Sequence, residues 1–116
     1  MRHRNKNKIL SRKAPLRKAL IRDLVTAMVT HERIEAPLVR LKVARQQLEK
    51  LITVAKNPSL QARRRLLAFF ATEPSVKKML EVIGPRYKDR KGGYTRITKM
   101  GSRLGDAAET AIIEFV

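Results

Sequence analysis

From Leu16 onward, apolar side chains return every three or four residues at Leu16, Leu20, Leu24, Ala27 and Met28. That spacing collects them on one helix face, and Pro15 suits a first helical turn, so a helix is predicted from Pro15 to about His31. Arg17, Lys18 and Arg22 fall on its other faces. Arg33-Ile34-Glu35-Ala36 alternates briefly before Pro37, which suits a short strand or an extended link. A second helix is predicted from Leu38 to Lys56, with Leu41, Ala44, Leu48, Leu51, Ile52 and Ala55 on its inner stripe and Asn57-Pro58 closing it. A third fits Leu60 to Ala71. A fourth fits Ser75 to Ile83, with Thr72 and Pro74 marking its start and Gly84-Pro85 its end. Apolar positions then thin out, and Arg86 to Gly93 reads as an exposed loop. Tyr94 to Met100 and Ala108 to Val116 alternate with period two, Ile112, Glu114 and Val116 on one side and Ile113 and Phe115 on the other. These two segments are expected to pair antiparallel, which would put the last strand inside the sheet. No internal repeat or low-complexity tract interrupts the pattern.

Charge changes this picture at both ends. The first 22 residues carry nine Lys/Arg and no acid, and the only apolar residues before Ala14 are Met1, Ile9 and Leu10. Such a segment has little to bury and repels itself, so residues 1–13 are expected to form a basic arm that becomes ordered on a polyanion. Residues 23–85 hold eleven basic and six acidic residues, residues 86–103 seven and one, and residues 104–116 none and three. A formal net charge of +17 over 116 residues exceeds what solubility requires and calls for a neutralising partner. The length suits one domain with a modest core, here residues 14–116. The lack of cysteine removes disulfides, thiolate chemistry and sulfur-ligated metals and suits a reducing compartment. No apolar run is long enough to span a membrane, and the basic opening is neither amphipathic nor serine-rich, so it is expected to be mature sequence rather than a targeting peptide.

Candidate chemistry is sparse. His31-Glu32 begins like a zinc-protease helix, but the position four residues after His31 is Glu35, and the other histidine, His3, lies in the arm. No phosphate-loop motif is present. Arg63-Arg64-Arg65 lies on a predicted helix, where three successive residues fan around the axis and cannot share one groove. The segment Arg86-Tyr87-Lys88-Asp89-Arg90-Lys91-Gly92-Gly93-Tyr94-Thr95-Arg96 is more telling. Paired glycines let backbone amides approach a phosphate, the cations neutralise it, and Tyr87 or Tyr94 has a ring able to stack on a base or ribose. The alternative is a glycine turn with solvated flanks and Tyr94 in the core.

The same residues carry a resemblance. Gly84 to Ile97, then Gly105-Asp106-Ala107-Ala108 and Ile113-Glu114-Phe115-Val116, closely resemble the C-terminal half of bacterial-type ribosomal protein L17, and the opening Met1-Arg2-His3-Arg4 fits its start. His31-Glu32-Arg33-Ile34 and Leu51-Ile52-Thr53-Val54-Ala55-Lys56 fit the same family in order. Ala14-Pro15-Leu16, Ala36-Pro37, Arg40-Leu41-Lys42-Val43 and Glu109-Thr110 depart from it; the first two remove hydroxyls, so no family contact is carried onto those positions, while the charges at Arg17, Arg40, Lys42 and Arg45 remain. The resemblance implies an α/β (α+β) domain of two layers, about four helices on a small mixed three-stranded sheet. It implies a structural constituent of the large ribosomal subunit, near the exit side of the peptide tunnel, that binds folded large-subunit rRNA beside neighbouring ribosomal proteins. No enzyme activity, cofactor, metal, membrane or small-molecule substrate is expected. The setting implied is the cytoplasmic ribosome of a bacterium, or an organellar ribosome of bacterial type. Expected RNA-binding residues are Arg2, His3, Arg4, Lys6, Lys8, Arg12 and Lys13 in the arm; Arg17, Lys18 and Arg22 on the first helix; Arg40, Lys42 and Arg45 on the second; and Arg86, Tyr87, Lys88, Arg90, Lys91, Gly92, Gly93, Tyr94, Arg96, Lys99 and Arg103 around the loop. On charge alone a DNA-binding regulator or an RNA-processing enzyme would also be admissible, although no readable helix–turn–helix appears.

Overall fold

Pro15 sits in the first turn of helix α1 (Ala14–His31), where its missing N–H costs nothing, in a computed structural model that describes residues 3–116. Two apolar rows run along α1. The core takes Val25, Met28 and Val29, with Ile21 and Leu24 packed against it, while Leu16 of the predicted stripe remains 59% exposed. Glu32 ends the helix in the left-handed conformation (φ 62°) and turns the chain into strand β1 (Arg33–Pro37). Pro37 closes β1 on the sheet's edge, where a missing donor is tolerated, and precedes α2 (Leu38–Ala55). The predicted inner stripe of α2 is buried at Leu41, Ala44, Leu48, Ile52 and Ala55, and Leu51 is partly buried beside them. The Ser59 hydroxyl caps α3 (Leu60–Phe70) by accepting from the Ala62 N–H at 3.1 Å, and Ala62, Leu66 and Phe70 face inward at four-residue spacing.

The fourth helix departs from expectation at its far end. It starts as α4 (Glu73–Lys78), widens into a π-helical stretch (Met79–Ile83) and continues through Gly84 and Pro85 as α5 (Gly84–Arg86). Gly84-Pro85 therefore does not end it. The π-turn replaces the hydrogen-bonding pattern that a proline in an α-helix would break. Gly84 is helical (φ −55°) and is needed for proximity, because a Cβ there would stand 2.5 Å from the Ala55 carbonyl oxygen at the end of α2.

Strands β2 (Thr95–Ser102) and β3 (Glu109–Phe115) form a hairpin, and β1 joins the other side of β3 to give the order β1-β3-β2. All pairings are antiparallel, so the sheet is not the mixed one the family resemblance implied. The last strand is central, as the expected pairing of the two segments implied. A bulge between Lys99 and Gly101 admits Met100 and shifts the pairing by one residue, so that Gly101 faces Thr110 and Ser102 faces Glu109. The helices cover one face of the sheet, where Ala111 and Ile113 join the core with Ile34 and Ile97 beside them. On the other face Glu114 lies between Arg33 and Arg96 across the three strands. Among the described residues no helix is long and apolar enough to cross a membrane.

Candidate nucleic-acid interface

The basic loop is held at its base by two tyrosines. Tyr87 and Tyr94 are 3% and 2% exposed, with ring centroids 5.3 Å apart, and Phe115 lies 6.1 Å from Tyr87. The Tyr87 hydroxyl donates to the Val116 carbonyl at 2.9 Å, and the Val116 N–H donates to the Tyr94 carbonyl at 3.0 Å. Neither ring is open to a base, which corrects the stacking expected of them: a tyrosine that buries its ring and satisfies its hydroxyl inside is a core residue. Arg86 is likewise part of the frame. Its guanidinium grips Glu32 through two bonds of 3.1 and 3.3 Å and sits 5.9 Å above the Phe115 ring. Arg86, and then Lys78 at 3.1 Å, hold the Glu32 carboxyl below the usual carboxylate range. His31-Glu32 thus closes a helix end against two cations, and among the described residues no three His, Cys, Asp or Glu are grouped to hold a metal.

The exposed loop is consequently Lys88 to Gly93, shorter than the predicted Arg86 to Gly93. Lys88, Arg90 and Lys91 are exposed on it. Gly92 and Gly93 both have positive φ (77° and 61°), and a Cβ at either would meet nothing within 4 Å. They are glycines because of their backbone conformation, and the Gly92 backbone also bonds to the Tyr94 hydroxyl. The loop is tied down by Lys56, whose ammonium at the end of α2 donates to the Arg90 carbonyl at 2.6 Å and to the Tyr94 hydroxyl at 3.1 Å. Chiefly through this bond, the Tyr94 hydroxyl titrates below the usual tyrosine range. Thr95 is fastened to the middle of α2, its hydroxyl donating to Glu49 at 3.0 Å.

The arm residues 3–9 are all exposed, and their recorded backbone bonds are local, such as Asn7 N–H to the Asn5 side chain and Arg12 N–H to the Ile9 carbonyl. His3, Arg4, Lys6, Lys8, Arg12 and Lys13 lie here; Arg2 lies outside the described residues. Lys18 and Arg22 are exposed on α1 and Lys42 on α2, whereas Arg17 and Arg40 are partly buried. Seven ion pairs form among the described residues, and they sort the cations. Arg45, Arg86, Arg96 and Arg103 are each paired with an acid, as are Arg33, Arg63 and Lys78. Among the described residues, none of the arm cations and none of Lys88, Arg90 and Lys91 enters one. Arg103 instead braces the β2–β3 turn: it and the Ala108 N–H hold the Asp106 carboxyl at a pKa of about 2. Lys99 is exposed beside the bulge. The sequence reading overlooked Lys56, Glu32 and Glu49 as the ties that hold the loop and its strand. For Lys56 the available signal was a cation at the C-cap of a helix, which spacing alone does not connect to a loop more than thirty residues away.

A two-layer α+β domain that pairs half of its acids internally and displays unpaired cations on an arm, a pinned loop and its helix surfaces belongs among small, strongly basic domains. The comparisons narrow the class. The sequence profile described as ribosomal protein L17 matches residues 20–116, and the chain belongs to that family. It is 46% identical over 116 residues to large ribosomal subunit protein bL17 of Dictyoglomus thermophilum, covering all of both chains. It is 47% identical over 107 residues to the bL17 protein of Clostridium acetobutylicum, covering 92% of this chain and 94% of that one.

Proposed function

We propose that this protein is a structural constituent of the large subunit of a bacterial-type ribosome and binds folded large-subunit rRNA through its basic arm and its Lys88–Gly93 loop, beside neighbouring ribosomal proteins. The observation that carries the reading is the display of charge: among the described residues the cations of the arm and of the Lys88–Gly93 loop enter none of the seven ion pairs, and residues 3–9 and 88–93 are all exposed. Family membership supplies the ribosomal setting. Recognition is of RNA shape, since the side chains displayed are chiefly phosphate binders. The rigid core spaces the two basic segments, and the buried tyrosines fix the loop's base.

The test is removal of residues 1–12, which takes away Arg2, Arg4, Lys6, Lys8 and Arg12. If three to five of these touch phosphates, the slope of log affinity against log salt for large-subunit rRNA falls by about 2–4 units, at roughly 0.7–0.9 per contact. Thermal unfolding stays nearly unchanged, because the arm contributes almost nothing to the core. An unaltered slope, or equal affinity for duplex DNA at matched salt, refutes the reading.

A further inference from the structure

Where α1, α2 and α3 meet, away from the loop, the surface opens into a cleft of about 360 Å³ lined by Lys18, Ile21, Arg22, Gln47, Ala68 and Phe69. Its size lies at the lower end of the range for sites that enclose a small organic group. The core does not require this opening. Phe70, 2% exposed, fills the interior from α3, while the adjacent Phe69 meets it edge-on at 5.2 Å and remains partly exposed at the cleft. Ile21 and Ala68 complete an apolar wall. Polar groups join the lining without partners: among the described residues, the Gln47 amide and the Lys18 and Arg22 cations make no side-chain hydrogen bond or ion pair. No carboxylate lines the cleft.

An aromatic surface, an amide carrying both donor and acceptor, and two free cations are the features that receive a nucleotide unstacked from its neighbours. We infer that this cleft takes one unpaired nucleotide of the bound RNA, its base against Phe69, its edge read by Gln47 and its phosphates met by Lys18 and Arg22. The inference rests on the proposed RNA binding and adds a base-specific pocket to an interface otherwise made of phosphate contacts. A duplex cannot enter, because its bases are stacked and paired. An apolar peptide would leave both cations uncompensated.

The experiment titrates the full chain with a single-stranded RNA octamer, with a duplex of the same sequence, and with adenosine monophosphate, following the Gln47 side-chain amide by NMR and affinity by filter binding. The octamer is expected to shift the Gln47 signals and the duplex to leave them in place. Phe69→Leu, which keeps an apolar filler beside Phe70, is expected to weaken octamer binding about fivefold or more with the salt slope unchanged, as loss of base stacking requires. Gln47→Ala, at a half-exposed position that spares the core, is expected to weaken it in the same sense. Lys18→Ala instead lowers the slope by about 0.7. If both RNAs bind but neither Phe69→Leu nor Gln47→Ala alters octamer affinity, the cleft is not a base pocket although RNA binding stands. If neither RNA binds, both readings fail together. Gln47 shifts with the mononucleotide alone would make this a free-nucleotide site and overturn the inference.

Discussion

Replacing Lys56 by Met keeps the stem length and removes the ammonium, so it tests whether the basic loop is held in place or merely rests there. The ammonium lies 2.6 Å from the Arg90 carbonyl, 3.1 Å from the Tyr94 hydroxyl and 5.4 Å from the centre of the Tyr94 ring. A hydrogen bond to a charged group contributes about 1.5–3 kcal/mol when fully protected, but Lys56 is half-exposed and water can replace it at the Arg90 carbonyl. The net loss is therefore about 1–2 kcal/mol for the pair. At roughly 2.1 cal/mol/K per residue, unfolding of a chain this size carries an entropy near 0.24 kcal/mol/K, so the midpoint should fall by about 4–8 °C. A second readout is local. Because Lys56 is the main cause of the low Tyr94 titration, the variant's phenol should titrate higher, which ultraviolet difference spectroscopy detects as a delayed tyrosinate signal. If the loop is a binding element, rRNA affinity should also fall while the salt slope changes by less than one phosphate contact, since Lys56 acts through the loop. An unchanged melting midpoint together with an unchanged Tyr94 titration would refute the pinning argument.

Gly84→Ala should destabilise, although alanine is favoured by about 1 kcal/mol in a helix: its Cβ would stand 2.5 Å from the Ala55 carbonyl, and overpacking of this kind costs about 1–3 kcal/mol. A thermal midpoint equal to or above that of the parent would show that α5 does not approach α2 so closely. Asp106 should titrate at about 2 rather than at its ordinary 3.8, and Arg103→Gln should return it toward that value in a carboxyl NMR titration. Since its folded pKa is depressed, its contribution to the turn is present above the ordinary value and fades as pH falls through about 2.

The elements were legible where periodicity and burial coincide, as along α2, whose stripe lies in the core, and in β3, whose alternation marked a strand with one buried face. Two features were not. Gly84-Pro85 has the composition of a helix stop, yet both residues are helical, because the reason for that glycine is a carbonyl on another element and proximity leaves no local pattern. Tyr87 and Tyr94, flanking a run of cations, have the composition of stacking residues. Their burial depends on Phe115 and Val116 arriving from the far end of the chain. The sequence also presented the basic segment as one unit, whereas tertiary pairing divides it: Arg86, Arg96 and Arg103 belong to the frame and Lys88, Arg90 and Lys91 to the exposed loop.

That division bears on how a chain of net charge +17 keeps a stable core. The last thirteen residues contain three acids and no cation, and two of them, Asp106 and Glu114, neutralise Arg103 at the turn and Arg33 and Arg96 across the sheet. Glu32 does the same for Lys78 and Arg86 at the helix end. Compensation is therefore local and falls on the elements whose packing makes the core. Repulsion is left to the cations outside these pairs: an arm whose residues 3–9 are all exposed, a six-residue loop outside the core, and exposed helix positions such as Lys18, Arg22, Lys42 and Arg64. Salt screens the mutual repulsion of the exposed cations, and it also weakens these ion pairs, whose arginines are half or more exposed at Arg33, Arg96 and Arg103. On the proposed RNA-binding reading, neutralisation by RNA would order the arm and would not be needed to fold the domain, so folding and assembly would proceed as separate steps.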